Sequence, residues 1–578
     1  MGYNILIMQT TWDLKRFYKS IDDPKISADL KKLQAETEKF VKKWKDRTDY
    51  LENPTILKEA LDDYELWARN YGGGGNPYYY FRLATVLDQL DPKLRAKFNQ
   101  VSELVLKIQN EIQFFELNLT KVKTTNIKGY EHFLKKIKKL APHILSDKEE
   151  KIMTLKSLTS YNFWTEMTEK FLSRETVKGK TYPELLSLIT STNKIVRDEA
   201  GESLNAIFEK YSDVAEAELN AILTDKKIDD ELRSYPRPDS ARLYRDDVDE
   251  KFVDLMVETV SKNFLLAKKY YALKAKYLGL KKLKYHERNV PVGNYDKKYT
   301  FEQTVTLIND VFGKLDKEFQ EIFQRFLTNG QIDVLPLKGK TGGAACFHNT
   351  ISQPTYIFLN HTNRLRDVAT VAHEMGHGIN NELMRRQNAL NFDTPTGTAE
   401  VASTFFEDFV FEKLLESASG KEKQSLLMSK LDDEVSTIFR QVAVYNFETQ
   451  LHKTFREKGY LDKTEIGKIF QKHMASYMGP AVEQSPGSQN WWVYWSHIRY
   501  FFYVYSYSSG LLISKYLQRT YRANPAKMAD IKKFLATGTS ASPRDIFKEI
   551  GINIYDKKVW EESIKEFEDL LNEVTSLN

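Results

Sequence analysis

Residues 373–377 read His373-Glu374-Met375-Gly376-His377, and this spacing supports chemistry only if the segment is an α-helix. Residues four apart lie on one helical face, so both imidazoles can reach one ion. Two neutral histidines supply half of a tetrahedral zinc site, and Glu374 lies beside whatever water completes it. Zinc lowers the pKa of that water to roughly 7, and Glu374 can accept its proton as it attacks a carbonyl. Strings of this pattern also arise by chance on exposed helices. A working site therefore needs a third ligand, and a donor for the oxygen on which charge develops.

The helix is predicted to start near Thr362 or Asn363, either of which can cap it, and to end near Arg386. Gly376 and Gly378 each cost ~1 kcal/mol inside it relative to alanine, which predicts close packing there. After a loop at 391–398, a second helix opens with Ala399-Glu400. Running back antiparallel, it would bring Glu400 to the two histidines and complete a His2Glu set with one position open. Glu407, seven residues on, shares that face and could orient a ligand histidine. Taken singly, either glutamate is more often a solvated surface residue. Farther on, residues 491–510 are densely aromatic, and most such rings form core. Read as a helix, however, the stretch puts Tyr500 and Tyr507 within about 80° of His497, on one face. Donors of this kind can hold a tetrahedral oxyanion. Tyr503 and Tyr505 diverge from that face.

Upstream, apolar residues at helical spacing among lysines and glutamates predict helices from residue 26 to about 328. They are broken by turns at Gly72–Pro77 and Ser234–Ser240. Val334–Leu337, Ala344–Phe347 and Tyr356–Leu359 then read as a small β-ribbon. Its glycine-rich centre has two readings. It is a hairpin turn, or Gly342, Gly343, Ala344, Ala345 and Cys346 form an edge strand that pairs with a peptide main chain. Punctuation near Thr192-Asn193 suggests a helical N-terminal domain at 1–193 and a catalytic domain at 194–578. With 85 basic against 80 acidic residues, the chain lacks the concentrated basic footprint of a nucleic-acid binder. A single cysteine, Cys346, excludes an intrachain disulfide and fits a reducing compartment. The apolar run Tyr3–Met8 is too short for a signal segment, and no stretch approaches the ~20 residues of a membrane span. A cytoplasmic protein with no membrane partner is expected.

The assembled motifs resemble the oligoendopeptidase F branch of the thimet-oligopeptidase-like zinc metallopeptidases. The likeness lies in Trp12-Asp13-Leu14 with Phe17-Tyr18, in Gly342–Cys346, and in Leu365-Arg366-Asp367-Val368 leading into His373–His377. It continues in Glu400–Thr404 with Glu407, and in His497 with Phe502–Tyr505, Tyr507 and Gly510. Ala345, Gly378 and Asn380 depart from the family's usual residues without touching the ligands. The resemblance implies a mainly α-helical, elongated two-part molecule with a deep channel that admits short unfolded peptides. It also implies one zinc per chain on His373, His377 and Glu400, with Glu374 as general base. Tyr507 is favoured over Tyr500, because related zinc peptidases place their stabilising tyrosine about three turns beyond the histidine. The expected activity is hydrolysis of internal peptide bonds. A carboxypeptidase or dipeptidyl carboxypeptidase on the same scaffold would need a fixed cation for the substrate carboxylate, with Arg499 and Lys340 as candidates. A non-catalytic peptide-binding protein is the remaining alternative. Oligomeric state is not legible.

Overall fold

The computed structural model describes residues 8–293 and 297–577, so the apolar run Tyr3–Met8, except for Met8, lies outside it. Mainly α-helical structure is what the local signals dictate. Asp23-Pro24, Asn53-Pro54 and Asp91-Pro92 each start a helix. In each pair the acidic or amide side chain accepts main-chain N–H groups, and the proline sits where no N–H is needed. In chain order, the elements include α1 (Gly75–Leu87), α2 (Lys194–Leu232), β1 (Ile332–Asp333), β2 (Ala345–Phe347), β3 (Tyr356–Phe358), α3 (Leu365–Met384), α4 (Ala399–Glu416), α5 (Arg440–Lys458) and α6 (Tyr505–Ala523). Among the described residues no helix is long and apolar enough to cross a membrane.

The chain forms two compact units, each built from three separate segments. The first comprises residues 1–141, 296–416 and 517–552; the second comprises 142–295, 417–516 and 553–578. This differs from a single division at 193/194. Asn193 caps α2, accepting from the N–H groups of Ile195 and Val196, so the punctuation there starts a helix inside the second unit.

In the first unit a three-stranded sheet has the order β1-β3-β2, with β1 parallel and β2 antiparallel to β3. The first strand is Ile332–Asp333 rather than the expected Val334–Leu337; Leu335 and Leu337 are 54% and 63% exposed. Trp12 packs on this sheet, its indole N–H donating to the Ile357 carbonyl at 2.8 Å. Its ring lies within 6 Å of Phe347, Tyr356 and Phe358. Strand β2 is thus an edge. In the second unit α2 runs for 39 residues and buries Leu204, Phe208, Ala215, Leu219 and Ile222 along one side.

Candidate metal centre and its surroundings

Helix α3 starts at Leu365, two or three residues later than the sequence suggested, because its cap comes from within. The Asp367 carboxylate accepts the N–H groups of Thr362 (2.7 Å) and Arg364 (2.9 Å). The helix crosses α4 at Gly376. A Cβ there would lie 2.6 Å from Ser403 Cα and 2.8 Å from the Ala402 carbonyl, so backbone rests on backbone. Gly378 faces the Phe326 and Ile357 side chains at 3.3–3.4 Å, a looser fit. The cost of the glycines, read from sequence as a sign of close packing, thus has its explanation mainly at Gly376.

That crossing brings together the group that could hold a metal. Glu400 lies one turn before Ser403, and its Oε2 is 3.3 Å from His373 Nε2 and 3.6 Å from His377 Nε2. The Ser403 hydroxyl, fully buried, donates to the same carboxylate at 2.9 Å. Glu407 Oε2 lies 3.0 Å from His373 Nδ1. A carboxylate can only accept, so Nδ1 carries its hydrogen there and Nε2 faces Glu400, the usual arrangement behind a metal-ligating histidine. Ligand atoms of His373, His377 and Glu400 all lie within 4.8 Å of one another. Two imidazole nitrogens and a carboxylate oxygen so placed fit zinc. The three side chains remain 24–28% exposed, so the cluster is open to a ligand.

Electrostatics divide the roles. Burial disfavours charge on His373, but Glu400 and Glu407 override it and raise its pKa to about 10. Burial pushes Glu400 up, yet His373 and His377 hold it down at about 2. His377 is pushed down to about 4, chiefly by burial. Glu374, 8% exposed, is raised by burial to about 7, the range a general base requires.

The edge strand lies beside Glu374. Ile357 of β3 donates its N–H to Gln331 on the β1 side, at 2.7 Å. Its antiparallel partner Cys346 therefore sits in a non-hydrogen-bonded pair, with its N–H and C=O directed to the open edge. The Cys346 backbone N–H acts on the Glu374 carboxylate, opposing part of the rise that burial causes. Gly342 and Gly343 have nothing within 4 Å of where a Cβ would stand. Asn360 ties the Thr341 and Gly343 carbonyls, both at 2.8 Å, so the segment enters β2 already shaped. His348, which the sequence analysis missed, follows on the same face as Cys346 and lowers the His377 pKa through its charge. Alternation along a strand was the signal that could have found it.

His497, Tyr500 and Tyr507 do not share a helix. Residues Ser488–Tyr494 and Ser496–Arg499 are 3-10 turns, and α6 begins only at Tyr505. Between them Phe501 and Phe502 have φ of 47° and 55°, which no α-helix accommodates. The resulting reversal nevertheless brings His497 Nε2 to 3.3 Å from the Tyr507 hydroxyl. Tyr500 is 60% exposed. Tyr503, which helical geometry had set aside, packs on both, with ring centroids 6.5 Å from His497 and 5.3 Å from Tyr507. Arg242 lies over the Tyr503 ring, 4.8 Å from its centroid. Burial keeps the His497 imidazole on the neutral side.

Both cations considered for holding a substrate carboxylate are committed elsewhere. Lys340, with no side-chain exposure, donates to Asp333 and to the Leu335 and Leu359 carbonyls at 2.5–2.6 Å. Arg499 makes a bidentate pair with Glu218 at 3.0 and 2.9 Å and donates to the Trp492 and Trp495 carbonyls. A second group with metal-ligand spacing, Asp198, His286 and Glu287, is already neutralised by Lys194, Arg197 and Lys284.

Residues 187–566 match the family model for peptidase family M3, and residues 119–174 match that for oligopeptidase F. An oligoendopeptidase F homologue from Lactococcus lactis subsp. lactis is 25% identical, over 99% of this chain and 98% of its own length. The oligopeptidase PepF of Bacillus subtilis is also 25% identical, over 82% of this chain and 72% of its own. The crystal structure of oligoendopeptidase F from Enterococcus faecium superposes with a TM-score of 0.70 at 20% identity, over 96% of this chain and 98% of that one.

Proposed function

Because the chain belongs to peptidase family M3, a family of metallopeptidases, and hydrolyses internal peptide bonds, we propose that His373, His377 and Glu400 hold one zinc ion for that reaction. The observation that carries this reading is the convergence of their ligand atoms within 4.8 Å, with Glu407 behind His373. Zinc, when bound, supplies Lewis acidity toward water and the scissile carbonyl. The chain's own residues do the rest. Glu374 takes the proton of the attacking water and returns it to the leaving amine, as a buried carboxyl with a pKa of about 7 is suited to do. His497 and Tyr507 donate to the carbonyl oxygen as negative charge grows on it. Gly342–Cys346 pairs with the substrate main chain along the open edge of β2, where the Cys346 C=O faces outward. Glu407 keeps the His373 ring turned.

The substrates are short unfolded peptides, the compartment is the cytoplasm, and residues 194–578 form the catalytic part, a reading supported by the family match over 187–566. Exopeptidase readings are disfavoured because Lys340 and Arg499 are both engaged. A peptide blocked at both ends separates the alternatives. Mass spectrometry is expected to find it cut internally, and a chelator is expected to abolish the cut until zinc is restored. Release of terminal residues only, and only from unblocked peptides, would overturn the endopeptidase reading.

A further inference from the structure

The turn between His497 and Tyr507 is strained, and a buried carboxyl group on α5 holds it. Phe501 and Phe502 occupy the left-handed region in succession, at φ 47° and 55°, where side chains other than glycine's crowd the backbone. The Phe502 N–H, 2.8 Å from Glu448 Oε1, is captured by that side chain. Glu448 is fully buried, has no ion-pair partner among the described residues, and leaves its Oε2 without a hydrogen bond. The neighbouring rings complete the grip. Phe502 lies 4.8 Å from His452 and 5.5 Å from Tyr445, and Phe501 lies 5.3 Å from His452. Beyond the turn, the Ser508 hydroxyl donates to the Thr437 and Ile438 carbonyls, at 3.0 and 3.1 Å. Those carbonyls belong to a π-helical turn, Val435–Phe439, that leads into α5.

A carboxyl group buried without a cation partner is a liability for folding, and an apolar side chain of similar size would serve stability better. Its one hydrogen bond goes to the strained turn that returns Tyr507 to His497. We propose that Glu448 is a positioning residue for the reaction: by capturing the Phe502 N–H it keeps the Phe501-Phe502 turn left-handed and so fixes the Tyr507 hydroxyl against His497. This rests on the reading of Tyr507 as an oxyanion donor. Burial raises the Glu448 carboxyl to about 8, so the neutral acid is its form near pH 7, and glutamine is a close mimic.

The test compares Glu448→Leu and Glu448→Gln, each alone and combined with Tyr507→Phe, on the blocked peptide. Glu448→Met replaces the leucine variant if that does not fold. Misplacing a catalytic donor by an ångström costs on the order of 10²-fold, so Glu448→Leu is expected to lose about that in kcat with KM little changed. Glu448→Gln, which keeps the acceptor oxygen, is expected to stay near wild type. On a Tyr507→Phe background the leucine substitution should add almost nothing. Amide exchange at Phe502 separates the two ideas. Faster exchange in the leucine variant than in the glutamine variant upholds the clamp even if Tyr507→Phe proves fully active, an outcome that removes only the oxyanion role. Unchanged exchange in Glu448→Leu, wild-type kcat in that variant beside an impaired Tyr507→Phe, or additive losses in the double variant would each overturn the proposal.

Discussion

Glu374→Gln should bind zinc and peptide as the parent protein does and hydrolyse the blocked peptide 10²–10⁴-fold more slowly, the usual contribution of a positioned general base. The substitution changes little else. The amide has the shape of the carboxylate, and its oxygen can still face the Cys346 N–H. The amide cannot take a proton from water. Glu374 is 8% exposed and raised by burial to about 7, so the native side chain changes protonation in the range where the reaction must run. The loss should fall on kcat with KM nearly unchanged, since the proton moves only on the way to the transition state. Turnover within a fewfold of the parent would remove Glu374 from the mechanism.

Tyr507→Phe is expected to lose 10²–10³-fold in kcat, or ~2.7–4 kcal/mol, the usual cost of one oxyanion donor. The ring packs against Tyr503 and His497, and phenylalanine keeps those contacts. Only the hydroxyl 3.3 Å from His497 Nε2 disappears. Tyr500→Phe serves as the control, because that side chain is 60% exposed. A crippled Tyr500→Phe beside an active Tyr507→Phe would transfer the role. Full activity of both would leave these tyrosines as packing.

The convergence of His373, His377 and Glu400 was legible in the sequence because it depends on two local periodicities and one short loop. His373 and His377 need only a helical turn, and Glu400 needs only that the next helix fold back. Gly376 announced the close crossing that makes the fold-back tight, and the Ser403 backbone is what it meets. The pairing of His497 with Tyr507 was anticipated for a reason that does not hold. It arises from two left-handed phenylalanines, a conformation that no residue preference predicts, held by Glu448 more than fifty positions earlier in the chain. Burial was equally hidden. Lys340 and Arg499 looked like free cations, and their partners Asp333 and Glu218 are named only by tertiary packing. The division into two interleaved units was illegible too, since local punctuation at Asn193 marks a helix start and carries no information about which distant segments pack together.

The central claim is that the Glu400 carboxylate, with His373 and His377, forms the metal centre. Elemental analysis of the parent protein and Glu400→Ala, purified side by side and dialysed without chelator, tests it most directly. The prediction is one equivalent of zinc in the parent, and a large deficit in Glu400→Ala together with lost hydrolysis. A full equivalent of tightly held zinc in Glu400→Ala would contradict the assignment.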